Sequence, residues 1–154
     1  MICGAAAPLD HDGPTYPRTS LDGIAGVRAA VGAHLGYSEW LAITDEQVDR
    51  YGQATGDRDE HAGIVPSYFV LALSNLFLPQ ITEVRGVSLG VNYGCNRIRF
   101  PAVVSVGSMV RAGAEITAVD DIAGGVQATM TIVVEIEGGS EPACVIESVS
   151  RYLT

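Results

Sequence analysis

Residues 69–78 read Phe-Val-Leu-Ala-Leu-Ser-Asn-Leu-Phe-Leu, a run without the polar stripe that a surface helix needs. A helix that is apolar all round belongs inside a core, so this segment demands a wall of other elements around it. Pro66 suits its first turn and Pro79 marks its stop, because proline is tolerated where the first N–H groups lack partners but breaks a helix interior. Ser74 and Asn75 are the polar exceptions. Asn75 is either a buried amide satisfied by nearby backbone or a contact for a bound molecule.

The second half of the chain supplies the wall. Val126, Ala128, Met130, Ile132, Val134 and Ile136 alternate with Gln127, Thr129, Thr131, Val133, Glu135 and Glu137, a period of two that gives one buried and one mostly polar strand face. Val110, Ala112, Ala114, Ile116 and Ala118 repeat the pattern. Ala123-Gly124-Gly125 and residues 138–142 have the composition of hairpin connections. The expected fold is α+β, a meandering antiparallel sheet curled around one long buried helix.

Ahead of that helix, Leu21, Ile24, Val27, Val31 and Leu35 recur at spacings of three and four, which predicts a short helix within residues 21–35. Residues 37–43 read as extended. Thr44-Asp45-Glu46-Gln47 has the capping-box form and opens a helix with Val48, Tyr51 and Ala54 on one face, ending near Gly56. Residues 1–20 hold Pro8, Pro14 and Pro17 without an apolar period and read as an irregular arm, either a frayed tail or a lid over a pocket. Residues 21–154 then form one domain.

A net charge of −9 repels phosphate backbones and anionic lipid surfaces, so nucleic acid and membrane are poor partners. The start of the chain lacks the basic region of a signal peptide, and no apolar run has membrane-spanning length. Cys3, Cys95 and Cys144 are far apart and in no CxxC arrangement, which argues against a disulfide framework or a zinc site. The expectation is a cytoplasmic protein with neither metal nor resident cofactor. Its chemistry is expected at Asp57 and His61, a carboxylate and an imidazole just ahead of the buried helix, since such a pair moves protons near neutral pH.

Three stretches carry a resemblance. They are Tyr51-Gly52-Gln53-Ala54-Thr55-Gly56-Asp57, residues 90–104 with Arg99-Phe100-Pro101 inside, and residues 141–152. From about Leu21 to the C-terminus the chain resembles the hot-dog-fold hydratases and dehydratases of the MaoC-like, (R)-specific enoyl-CoA hydratase family. The resemblance implies a homodimer or higher homo-oligomer with active sites at the subunit interface. It implies that Asp57 and His61 hold a water and add it across the double bond of an acyl thioester. The thioester oxygen would be held by the backbone N–H of Ser67 at the start of the buried helix, and CoA or a carrier-protein phosphopantetheine would deliver the acyl group. Arg97 and Arg99 would meet its phosphates or remain plain solvated charges.

The chain also departs from that family. His61 lies one residue nearer to Asp57 than the family's imidazole, with Arg58-Asp59-Glu60 between them, and is either the catalytic imidazole or a solvent-facing loop residue. A segment that the family carries between the His and the buried helix is missing, and Pro66-Ser67 stands where the family has His-Gly. Three functions follow. The first is a lyase that hydrates an enoyl thioester or dehydrates a 3-hydroxyacyl thioester. The second is a repurposed enzyme that cyclises a polyketide-type substrate among the rings of Tyr51, Tyr68, Phe69 and Tyr93. The third is a non-catalytic partner subunit of a hot-dog dimer. Tyr51, Tyr68, Asn75, Asn92 and Tyr93 are the candidate pocket residues.

Overall fold

The computed structural model describes residues 18–57 and 63–154. Most of the expected arm and the whole of 58–62, His61 included, lie outside the described residues. The elements run β1 (Thr19–Asp22), α1 (Gly23–Ala29), β2 (His34–Tyr37), β3 (Leu41–Ala42), α2 (Asp45–Thr55), α3 (Ser67–Ala72), α4 (Ser74–Ile81), β4 (Thr82–Arg85), β5 (Leu89–Arg99), β6 (Met109–Ile122), β7 (Gly125–Ile136) and β8 (Cys144–Leu153). Thr19 and Ser20, the end of the expected arm, already run as strand, because β1 pairs in parallel with β4.

Alternation becomes sheet as expected. The main sheet has the order β2-β6-β7-β8-β5, with β3 also on β6. β6, β7 and β8 form an antiparallel meander in which Ile116 faces Met130 and Ile132 faces Ile146. The inward row of β7, from Val126 through Ala128, Met130 and Ile132 to Val134, is buried. Against this concave face lie Val70 of α3 and Phe77 and Ile81 of α4, in one cluster with Ala112, Ala114, Cys144 and Ile146. β5 is the outermost strand, paired only with β8 among the described residues. Register shifts beside Tyr93 and Asn96 mark two bulges in it, which bend a strand and sharpen its twist.

Four local expectations are corrected. The helix over residues 21–35 is confined to α1, because Gly32 with φ +80 turns the chain and Leu35 then lies in β2. Pro66 caps α3 from outside rather than sitting in its first turn. Pro79 does not stop the central helix, since α4 continues to Ile81 with Pro79 inside it. The proline is exposed and lies two residues before the helix ends, so only the last turn has to absorb the missing N–H bond and the ring's clash with the carbonyl four residues back. The central helix is also not buried on every side. It divides at Leu73 into α3 and α4, and Tyr68 and Leu76 are 63% and 46% exposed. In a single chain the sheet covers one face and leaves the other open.

Candidate active site

The site begins at the end of α2. Thr44 caps the helix as expected, its Oγ1 accepting from Gln47 N–H while the Gln47 side chain accepts from Thr44 N–H. After the 11 residues of α2, Gly56 adopts φ 77 and its N–H donates to Gly52 O at 2.9 Å. A left-handed residue at this place is the usual helix stop, and glycine adopts it without a Cβ penalty. The Thr55 hydroxyl donates to Tyr51 O at 2.8 Å and accepts Asp57 N–H at 3.1 Å. The Ala-Thr-Gly-Asp order thus has a local physical meaning: a hydroxyl holds the backbone on both sides of the turn that presents Asp57.

The Asp57 side chain is held as well. Tyr51 Oη donates to Asp57 Oδ2 at 3.1 Å, and the Tyr51 ring packs on Phe69 at the start of α3 with centroids 5.2 Å apart. Burial raises the Tyr51 pKa above its ordinary 10.0, and the hydrogen bond to Asp57 and that carboxylate's charge raise it further. The phenol therefore stays protonated at neutral pH.

Tyr51 also lines a groove of about 420 Å³. The exposed helix face supplies Tyr68, Leu71, Ala72, Ser74, Asn75 and Leu78; β5 supplies Asn92, Gly94 and Cys95; β8 supplies Ile146 and Ser148. Ligand sites typically enclose about 300–1,000 Å³ and combine apolar walls with a few polar groups. Here the polar groups include Asn75 and Asn92, bonded to one another at 2.9 Å from helix to strand. Asn75 is exposed and bonded to a side chain, which corrects the reading as a buried amide held by backbone.

Tyr51, Tyr68, Asn75 and Asn92 are therefore brought together, with Asp57 attached through Tyr51. Tyr93 is not among the lining residues. It occupies the first bulge of β5, and the Arg151 guanidinium lies 3.3 Å from its ring centroid. Ser67 begins α3 and is exposed, outside the groove lining. Arg97 and Arg99 lie exposed on β5. Among the described residues no cluster of three or more His, Cys, Asp and Glu is placed to hold a metal ion, and no helix is long and apolar enough to cross a membrane.

Several lining residues escaped sequence reasoning, although a signal existed for two groups. Tyr68, Leu71, Asn75 and Leu78 are spaced by three and four, the interval that shares a helix face. Ser148 follows Cys144 and Ile146 at intervals of two, a polar group in an otherwise apolar inward row. Gly94 and Cys95 had no such signal.

No family model matches the chain. Over 148 residues it is 40% identical to 3-hydroxyacyl-thioester dehydratase Z of Mycobacterium tuberculosis, covering 87% of this chain and 98% of that protein. In fold it is similar to a monoamine oxidase regulatory protein from Archaeoglobus, with a TM-score of 0.72 at 16% identity over 87% of this chain and 95% of that one. A MaoC-like dehydratase from Rhodospirillum rubrum superposes with a TM-score of 0.64 at 13% identity, over 81% and 94% of the two chains.

Proposed function

The chain belongs to the MaoC-like, (R)-hydratase family of hot-dog proteins, and on that premise we propose that it is a lyase acting on acyl thioesters. It removes water from a 3-hydroxyacyl thioester or, in reverse, adds water to the enoyl thioester. The observation that carries the reading is the Asp57 carboxylate bonded at 3.1 Å by the hydroxyl of Tyr51, a residue that lines a largely apolar groove. A relative that is a 3-hydroxyacyl-thioester dehydratase supports it.

Asp57 is the base that takes the proton next to the thioester carbonyl. Transfer of this kind contributes about 10²–10⁴ in rate. The resemblance pairs Asp57 with His61. The carbonyl oxygen, where negative charge develops, is held by the Ser67 N–H. The first N–H groups of a helix have no acceptor inside it, and donors aimed at a developing oxyanion lower the barrier. The acyl chain lies along Leu71, Ala72 and Leu78, with CoA or phosphopantetheine at its thioester end. A homodimer completes the site, because the open helix face and the outermost strand β5 leave apolar and backbone groups for a second copy to cover. The compartment is the cytoplasm.

The test is turnover of a panel of 3-hydroxyacyl-CoA thioesters of graded length, with polyketide-type thioesters in parallel, read by ultraviolet absorbance of the conjugated product. Asp57→Asn is expected to lower kcat by about 10²–10⁴. A wild-type protein inert across the hydroxyacyl panel refutes the proposal.

A further inference from the structure

Elimination of water needs two proton movements, one off the α-carbon and one onto the departing hydroxyl. A single carboxylate performs only one of them at a time. Of the described residues that line the groove, Tyr51, Tyr68 and Cys95 carry a titratable proton. Among the described residues, Tyr51 alone of these also bonds Asp57. Its ring is fixed by Phe69 and its hydroxyl by the carboxylate, so acid and base are already in contact, as preorganised catalysis requires.

Resting on the lyase reading above, we infer that Tyr51 is a catalytic residue, the acid that protonates the leaving hydroxyl in relay with Asp57. The Asp57 carboxylate takes the α-proton. The electron pair of that C–H bond forms the new double bond as the β-carbon to oxygen bond breaks, and the departing oxygen takes the phenol proton and leaves as water. The proton now on Asp57 returns to the phenolate across their hydrogen bond. The thioester has lost one water and the protein is unchanged. Among the described residues, the titratable groups acting on the phenol are Asp57 and Tyr68. Burial and Asp57 raise its pKa, which keeps the proton in place until oxygen departs.

A mere tether for Asp57 would also need the hydroxyl, so the test must separate donor strength from shape. Two variants serve: Tyr51→Phe, which keeps the ring on Phe69, and difluorotyrosine installed at position 51, which keeps the hydroxyl but lowers its pKa. Circular dichroism and thermal melting confirm that both fold. The acid role predicts that Tyr51→Phe loses at least about 10² in kcat with little change in KM. It predicts that wild-type kcat persists up to the ordinary tyrosine range near 10.0, whereas the difluorotyrosine protein loses activity at lower pH, as its phenol ionises. An unmoved alkaline limit in the difluorotyrosine protein, or undiminished kcat in Tyr51→Phe, overturns the inference while leaving the lyase reading standing. An inert wild type overturns both.

Discussion

Replacing Thr55 by valine tests whether the Ala-Thr-Gly-Asp turn serves stability or geometry. The change keeps the shape of the side chain and deletes one hydroxyl, which donates to Tyr51 O at 2.8 Å and accepts Asp57 N–H at 3.1 Å. A net intramolecular hydrogen bond is worth about 0.5–1.5 kcal/mol. Thr55 and Asp57 are both exposed, so water replaces much of what is lost, and the sum for the pair is about 1 kcal/mol. For a chain of this length that lowers Tm by about 2–4 °C. Total stabilities of about 5–15 kcal/mol keep the variant folded at assay temperature, and the active fraction does not change. The expected loss of kcat is nevertheless much larger, because misplacing a catalytic group by about 1 Å removes about 10² in rate. Differential scanning calorimetry and steady-state kinetics on the same preparation compare the two effects, with Thr55→Ser as the variant that restores both bonds. A lowered Tm with unchanged kcat would refute the claim that Thr55 aims Asp57.

Two further outcomes are expected. Burial pushes the Cys144 thiol up to about 11 from its ordinary 9.0, with the charge of Cys95 adding to the effect. The folded pKa exceeds the unfolded one, so the contribution to stability is complete below 9.0 and lost as pH rises toward about 11. The urea midpoint should therefore fall more steeply across that window in wild type than in Cys144→Ala; equal slopes contradict it. Leu76→Lys, on the open helix face, should shift a homodimer to monomer in light scattering without unfolding it, and an intact dimer would place the interface elsewhere.

How legible the molecule was in its sequence depended on the range of the interaction. The rows through Val126 to Val134 were readable because strand alternation is local and one face meets the core. The Thr44 cap and the Gly56 stop were readable because each lies within a few residues of its partner. Pro79 was misjudged because the rule that proline ends a helix is local, whereas burial of Phe77 and Ile81 on either side of it holds the last turn in place. Tyr93 was misplaced for a similar reason: an extra residue in β5 interrupts the alternation there, and nothing in the residue types marks it. The bond from Tyr51 to Asp57 spans a helix end and its left-handed turn, an interval outside helical periodicity, so two residues named separately were not recognised as a pair.

The place of α3 and α4 in chain order has a consequence for how the protein is made. The apolar helix ends at Ile81, whereas the strand that completes its enclosing meander, β8, ends at Leu153. A ribosome adding about 5–20 residues per second needs roughly 4–14 s to cover that interval. During that time Phe77 and Ile81 have left the tunnel before the strands that will bury them exist. The nascent chain must carry its most water-averse segment unhoused through much of its own synthesis. Chaperone demand, and the vulnerability of stalled or truncated products to aggregation, are thus set by the order of the elements as much as by the finished fold.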